Sequence, residues 1–448
     1  MDTLQPTPVD RIAPQATAAH EPPSRVRWLV FALACAVSWL LYLHRYSWGV
    51  IKSAVKKETG LSDLELGWLD SAFSASYSLC QIPGGLAGDL LGPRKVLSAI
   101  ILLWSACLAW LAAAHSVVGM AASRIAFGAT QAGAYANLAK VTRSWFPLSM
   151  RTFAQGAIAA FAGRVGGACS SVVVATLLMG WFGLGWRSAL AVISTLGILF
   201  SLAFWLLFRN RPVEHPAVND AERQLIGGDE PPPAQVARTA KPVLIRSPAN
   251  ALNVAMFLLH AFTSTLPDML YQNWIPLFLV EEKRLTSEQM GVFAMLPLVG
   301  GALGGLTGGA LNDLAIRLTG NRRWSRSAIG LSGKVLSAGL IAWSVTMVDG
   351  RLVMLALFAC KFFTDWSQPT QWATVTDISG PAAGTVFGMM NTVGSAAGLL
   401  AGPLIGYLIQ DYGWGPMFYV MAGFYFVSGL AWLAIDCTRP LFREGVEE

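Results

Sequence analysis

Charge is scarce in this chain: only 13% of its 448 residues are Asp, Glu, Lys or Arg, about half the share of an ordinary soluble domain. With 54% hydrophobic residues and a mean hydropathy of +0.50, a water-soluble globular protein is excluded. Histidine is rarer still, at 5 residues, and the six cysteines Cys35, Cys80, Cys107, Cys169, Cys360 and Cys437 show no metal-ligand spacing. Neither a metal nor a cofactor is expected, and the thiols read as buried and unpaired within apolar segments. Paired His or Asp clusters are missing, and so is a Gly-x-Ser-x-Gly turn, which leaves no basis for a membrane enzyme.

What is abundant is apolar sequence in runs of about 20 residues, long enough to cross a hydrocarbon core. The first set covers 27–50, 67–90, 96–114, 117–141, 153–181 and 188–208, and the second 250–280, 291–316, 328–348, 352–376, 386–409 and 417–435. The expected fold is an all-α membrane protein of about twelve transmembrane helices in two pseudo-symmetric six-helix bundles, 25–208 and 250–437. Residues 1–24, with Pro6, Pro8, Pro14, Pro22 and Pro23, read as a disordered tail, 438–448 as a second tail, and 209–249, with Pro231, Pro232 and Pro233, as a polar linker. The first span is too long for a signal-peptide core and lacks a convincing cleavage site, so it reads as retained.

The net charge of +6 collects in particular loops instead of on one face, which argues against nucleic acid. Arg94 with Lys95, Arg143 with Arg151, the segment 209–246 and the run Arg317, Arg322, Arg323 and Arg326 all fall on one side. The positive-inside rule makes that side cytoplasmic, with both termini, and the short connecting loops suggest a bacterial inner membrane. Lys52, Lys56 and Lys57 read as an outer loop against that trend.

One polar signature occurs twice: Gly85, Asp89, Gly92, Arg94 and Lys95, then Gly309, Asp313, Arg317, Arg322 and Arg323. Such repetition suggests duplicated halves that move against each other. Small residues crowd some spans, as at Gly163, Gly166 and Gly167, from Gly300 to Gly309, and at Gly394, Gly398, Gly402 and Gly406. These faces should meet other helices instead of lipid.

A charge at mid-membrane costs about 2.5 to 3.5 kcal/mol on insertion scales, so each such residue is a functional candidate. Tyr42, Arg45, Tyr46 and Gly49 share one helical face, and a guanidinium among phenols suits a carboxylate or phosphate. Arg45 either meets such a ligand, pairs with Asp70, or snorkels to the interface. Arg164 lies among glycines and alanines, open to substrate contact or to an interhelical salt bridge. Arg124, in Arg-x-x-x-Gly128, reads as structural or coupling. Asp70, Ser74, Tyr77, Gln81 and Gly84 form a polar stripe that must face protein or water. There Tyr77 is either an anion donor or interhelical glue, and Asp70 a possible proton carrier. Lys361 and Asp365, four apart, read as an internal ion pair, with Asp268 and His260 as weaker candidates.

At these residues the chain resembles the major facilitator superfamily, and within it the anion:cation symporters, the group of sialin, hexuronate, galactonate and phthalate carriers. The resemblance rests on the Gly85 to Lys95 loop, Arg124-x-x-x-Gly128, Gly185-Trp186-Arg187, the run from Arg211 to Pro216 with Ala221-Glu222 and Ile226, and Gly384 to Gly388 followed by Asn391, Gly394, Gly398 and Pro403. It implies a central cavity between two bundles, opened alternately to either side. It also implies substrate contacts at Arg45, Tyr77, Trp372 and Asn391, and a cytoplasmic gate that includes Asp89 and Arg94, with Asp313 at the repeat and Arg124 in a coupling role. Two departures stand out. His44 sits where the family places an acid before the span-one arginine, and Gln131, which is itself counted as a substrate contact here, where it places the proton-binding glutamate of span four.

The expected function is secondary transport of a small organic anion by a monomer in the lipid bilayer, driven by protons through His44 or Asp70. The alternatives are exchange against a counter-anion, with an organophosphate or sulfonate as cargo, and a sensor that keeps the fold without flux. Arg45, Arg164 and a protonated His44 would suit a phosphate, sulfonate or dicarboxylate better than a neutral sugar. Drug efflux is the further rival within transport, suggested by the 17 tryptophans, although these suit membrane interfaces equally well.

Overall fold

The computed structural model describes residues 22–227, 248–379 and 383–439. Most of the proline-bearing N-terminal tail, the Pro231 to Pro233 stretch of the linker and the chain from residue 440 lie outside the described residues. The first half contains α1 (Val26–Thr59), α2 (Asp63–Leu91), α3 (Pro93–Ala113), α4 (Val117–Gln131), α5 (Ala134–Trp145), α6 (Leu148–Gly156), α7 (Gly163–Ser171) and α8 (Trp186–Leu207). π-Helical stretches Ala157–Ala162 and Val172–Trp181 join and extend α6 and α7 into one span. After a short linker helix α9 (Asp220–Ile226), the second half contains α10 (Pro248–Asn273), α11 (Ile275–Glu281), α12 (Ser287–Thr319), α13 (Arg322–Ser344), α14 (Gly350–Trp366), α15 (Gln368–Ser379), α16 (Ala383–Tyr412) and α17 (Trp414–Ala434).

Seven of these helical segments are long and apolar enough to cross a membrane by themselves. The spans that miss that standard are interrupted or striped with polar residues, as α4–α5, α10–α11 and α14–α15 are interrupted at Gly133, Trp274 and Ser367. A span tolerates polar groups and a broken backbone only where protein or a cavity covers them. The interruptions therefore mark helices that face inward.

The duplication is written into the helix ends. The second span of each half opens with a capping box, Ser62 with Glu65 on α2 and Thr286 with Gln289 on α12, in which side chain and backbone satisfy each other's free groups. Each of these helices then stops at a glycine with positive φ, Gly92 at 80° and Gly320 at 65°, a conformation that side chains with a Cβ resist. The doubled Gly–Asp–basic signature falls on these two turns.

The halves touch most closely at the end away from the linker. There α2 packs against α16, with Gly67 and Gly402 in backbone contact. Across the same end Lys56 Nζ pairs with Glu281 at 2.9 Å, and Thr176 donates to the Glu288 carbonyl at 2.9 Å. Toward the linker end, Gln81 to Ser395 at 3.5 Å is the last hydrogen bond along α2 that joins the halves among the described residues.

Lys52 does not lie in an outer loop. Helix α1 continues to Thr59 and seals Lys52 completely, where its ammonium meets Asp70 at 2.9 Å and lies 3.7 Å from the Trp274 ring centre of the other half. Lys56 also lies on α1, and its ion pairs turn it inward. The thiols are less buried than expected, since only Cys360 and Cys437 are sealed and the other four are half-buried. Cys437 follows α17 instead of lying within it.

Candidate functional site

A cavity of about 740 Å³ lies between the halves, walled by residues of α1, α2, α5, α7, α10, α12, α14, α15 and α16. Arg45, Tyr77, Arg164, Trp372 and Asn391 all line it. Gln131 stands behind Arg45, fully buried, and accepts from the guanidinium Nε at 3.0 Å. Its own amide donates to the Leu41 carbonyl, so it fixes the arginine's position and keeps no exposed face.

Arg45 is 9% exposed, and among the described residues no carboxylate lies within ion-pair distance of it. Aromatic rings hold it instead, with Tyr77 at 4.5 Å, Tyr42 at 5.2 Å and Phe73 at 5.3 Å from the guanidinium carbon. Each such contact contributes about 0.5 to 2 kcal/mol, yet none of them neutralises the charge. One terminal nitrogen, Nη2, is buried without any hydrogen bond. A guanidinium with donor capacity left beside a cavity can grip a planar or tetrahedral anion with more than one bond.

The opposite wall carries a denser cluster. Lys361 Nζ bridges Asp268 and Asp365, each at 2.9 Å. Arg164, from the first half, pairs with Asp365 and donates to Gln368 at 2.7 Å, so the interhelical bridge and the cavity position belong to the same residue. Tyr425 donates to Asp268 at 2.9 Å. Behind them Lys334 is buried on Ser264 at 2.6 Å, with no carboxylate in ion-pair distance among the described residues. Among the described residues around this cavity Arg45, Arg164, Lys361 and Lys334 face only Asp268 and Asp365, so its interior is positive.

Several expected site residues lie elsewhere. His44 is turned away from the cavity toward α8, where its Nε2 meets the Ile193 carbonyl at 3.0 Å and the ring packs at Gly197. Asp70 neither lines the cavity nor pairs with Arg45: Lys52 and the Trp48 indole, at 2.9 and 2.6 Å, take up its oxygens. Arg124 does not sit with the linker-end residues Asp89 and Arg94. It is buried between Trp48 and Phe73, 4.9 Å from each ring, and donates to the Leu69 carbonyl.

Nor do the expected gate residues reach across the halves. Asp89 pairs with Lys140 at 2.7 Å. Arg94 caps the C-terminal turn of α8 through the Trp205 carbonyl at 2.7 Å, where a cation complements the helix dipole. Among the described residues Asp313 accepts only from the neighbouring Asn312, at 3.3 Å. Each is held within its own half.

Sequence reasoning passed over Tyr135, Gln368, Gln371 and Lys334. Tyr135 lies four residues past Gln131, on the inward side of the α4–α5 interruption, and Gln368 and Gln371 follow the α14–α15 interruption in the same way. The signal available was a run of small and polar residues interrupting an apolar span.

Comparison with known proteins agrees with this geometry. The chain is 30% identical over 392 residues to a probable sulfoacetate transporter, SauU, of Cupriavidus necator, covering 87% of this chain and 89% of that protein. It is 26% identical over 404 residues to a probable galactarate/D-glucarate transporter, GudP, of Bacillus subtilis, covering 87% of each. To the D-galactonate transporter of Escherichia coli it is 24% identical over 425 residues, covering 92% and 96%. Among solved structures, a bacterial homologue of the human lysosomal transporter Spinster superposes with a TM-score of 0.70 at 16% identity, covering 92% of this chain and 98% of that one. The nucleoside transporter NupG follows at 0.66 and 14%, covering 91% and 99%. Residues 28–402 match the family model of the Major Facilitator Superfamily, and the chain belongs to that family, as a multi-pass membrane transporter and not an enzyme.

Proposed function

We propose that this protein is a secondary active transporter that carries a small organic anion across the membrane, its two halves rocking to expose the central cavity to one side and then the other. The basic linker end faces the cytoplasm, and proton symport drives uptake. The observation that carries this reading is Arg45: a guanidinium at mid-depth on the cavity wall, held by rings and an amide, with no carboxylate partner among the described residues. Burying such a charge is costly unless something neutralises it, and an anionic cargo does so in each cycle. Tyr77, Trp372 and Asn391 supply an aromatic and polar surround, and the relatives named for sulfoacetate, galactarate and galactonate support the cargo class.

Exchange against a counter-anion remains the second reading, and a specific observation favours it: the group on Arg45 is the amide of Gln131, which cannot titrate. Uptake into proteoliposomes decides both points. Sulfoacetate, galactarate and D-galactonate are offered with and without an imposed pH gradient, to wild type and to Arg45→Ala. Loss of uptake in Arg45→Ala at equal protein abundance is expected, and wild-type uptake in that variant overturns the role of Arg45. Accumulation that ignores the pH gradient but follows a trans-loaded anion selects exchange, and binding without flux selects a sensor.

A further inference from the structure

We propose that the carboxylate that exchanges the proton is Asp268 on the second half, and that its protonation releases Lys361 to the anion. The inference rests on the anion-transport reading above. It follows from which carboxylates cavity water can reach. Asp268 is the only acidic side chain among the described residues that line the cavity, and its side chain is 23% exposed. Asp70 is 1% exposed and held by Lys52. Asp365 is sealed, with Oδ1 on Lys361 and Oδ2 on Arg164.

The hydrogen bonds of Asp268 are lopsided. Lys361 and Tyr425 both donate to Oδ1, and Oδ2 accepts none among the described residues. A proton arriving from cavity water therefore has a vacant oxygen to join, with no bond to break first. Its charged and titratable neighbours are Lys361, Asp365 and Cys360 on α14, Tyr425 on α17, Lys334 on α13, Tyr271 on its own helix α10, and Tyr46 and Arg164 from the first half. Facing α16 contributes Asn391 and Met390 to the cavity wall and no ionisable group.

Protonating Asp268 removes one of the two negative partners of Lys361 and leaves Asp365 as the other. The wall becomes more positive by one charge, and a bound monoanion restores the earlier balance. Proton and anion thus favour each other's binding, and the linkage is reciprocal. In the empty cavity Lys361 returns to Asp268 and the proton leaves to water, so with a monoanion such as D-galactonate the rocking protein carries the same net charge loaded and unloaded.

The test uses the full chain in detergent, in weakly buffered solution with a pH indicator, and sulfoacetate, galactarate and D-galactonate added in turn. Wild type is expected to take up about one proton per anion bound, with anion affinity falling up to about tenfold per pH unit across the titrating range. Asp268→Asn should bind the anion with no proton uptake and no pH dependence, and Asp411→Asn, an exposed carboxylate on α16, should behave as wild type. Proton uptake that persists in Asp268→Asn overturns the proposal and leaves the anion reading intact, as does anion binding by wild type without protons. No binding of any of the three anions by wild type removes both. Should the asparagine variant fold poorly, Asp268→Glu decides: a shifted pH midpoint of proton uptake supports the assignment, and an unchanged midpoint overturns it.

Discussion

The close approach of α2 and α16 allows a quantitative test of the proposed rocking. A Cβ built on Gly67 lies 2.3 Å from the Gly402 carbonyl oxygen, and one built on Gly402 lies 2.2 Å from that of Gly67. A backbone oxygen cannot rotate away, so Gly67→Ala must push the helices apart by on the order of 1 Å in a packed interface. Overpacking of this kind costs about 1 to 3 kcal/mol. The cost falls on the conformation in which the far end is shut and disappears when the halves part there, so the closed-to-open ratio should drop about 5- to 150-fold. The assay is the rate at which a membrane-impermeant maleimide, added from the far side, labels Thr265→Cys on the cavity wall of a protein whose native cysteines are replaced by alanine. Gly67→Ala should label faster. Gly398→Ala, one turn from Gly402, should not, because the nearest atom to its new Cβ is Ser74 Oγ at 3.6 Å, an ordinary contact. Equal labelling in Gly67→Ala and its parent, or equal acceleration by Gly398→Ala, refutes the reasoning.

Glu222 on the linker helix closes the start of α1, accepting from the Val26 amide at 2.9 Å, the Arg27 amide at 3.0 Å and the Arg27 guanidinium at 3.1 Å. Desolvation by itself would raise this carboxyl, but the Ser24 hydroxyl, these amides and the Arg27 charge outweigh it and hold it below the ordinary range. Its contribution is therefore full above the unfolded value, about 4.3, and is lost as pH falls through the lower folded value. Glu222→Gln should cost about 1 kcal/mol at neutral pH, read as a lower thermal midpoint in detergent, and should flatten the acid limb of stability against pH; an unchanged acid limb counts against it. In the sealed cluster of Lys52, Asp70 and Arg124, Asp70→Asn should destabilise by about 3 to 5 kcal/mol, since it leaves buried cations without a carboxylate. Lys52→Met should destabilise less, because Arg124 still acts on Asp70, and the reverse order in thermal unfolding would contradict this account. Arg45→Lys keeps the charge but loses the planar fork and the ring contacts, so anion affinity should fall about tenfold, and an unchanged affinity would show that the grip is purely coulombic.

The spans and their duplication were legible because lipid imposes length and apolarity on every crossing segment, and the doubled Gly–Asp–basic turns sit at matching helix ends in both halves. Cavity-facing residues were legible where a charge stood on an apolar face, as Arg45 and Arg164 do. What the sequence could not convey was direction around the helix axis and reach between distant helices. His44 and Arg45 are adjacent, so they point about 100° apart on a helix, and one meets α8 while the other meets the cavity. Asp70 lies eighteen positions from Lys52, and only the tilt of α1 over α2 reveals that a lysine read as a loop residue is its partner. The glycine-rich faces showed the same gap: those of α12 close on α14 within one half, as Gly304 does on the Phe362 carbonyl, whereas Gly402 and Gly406 of α16 close on the other half.

Arg164 joins these observations. The sequence left it between a substrate contact and a salt bridge, but it lines the cavity and also pairs across the halves with Asp365. Those are competing uses of one guanidinium. An anion that draws on Arg164 weakens a tie between the bundles at mid-depth, where α2 contributes the long hydrogen bond from Gln81 to Ser395. The tie also loads Lys361, which shares Asp365, so loosening it returns that carboxylate to Lys361 just as a proton on Asp268 would take the other away. A ligand can move a two-state equilibrium only through a difference in its contacts between the states. In this cavity that difference lies in ion pairs that the cargo and the opposite half cannot both hold, so cargo binding and motion of the halves share the same few bonds.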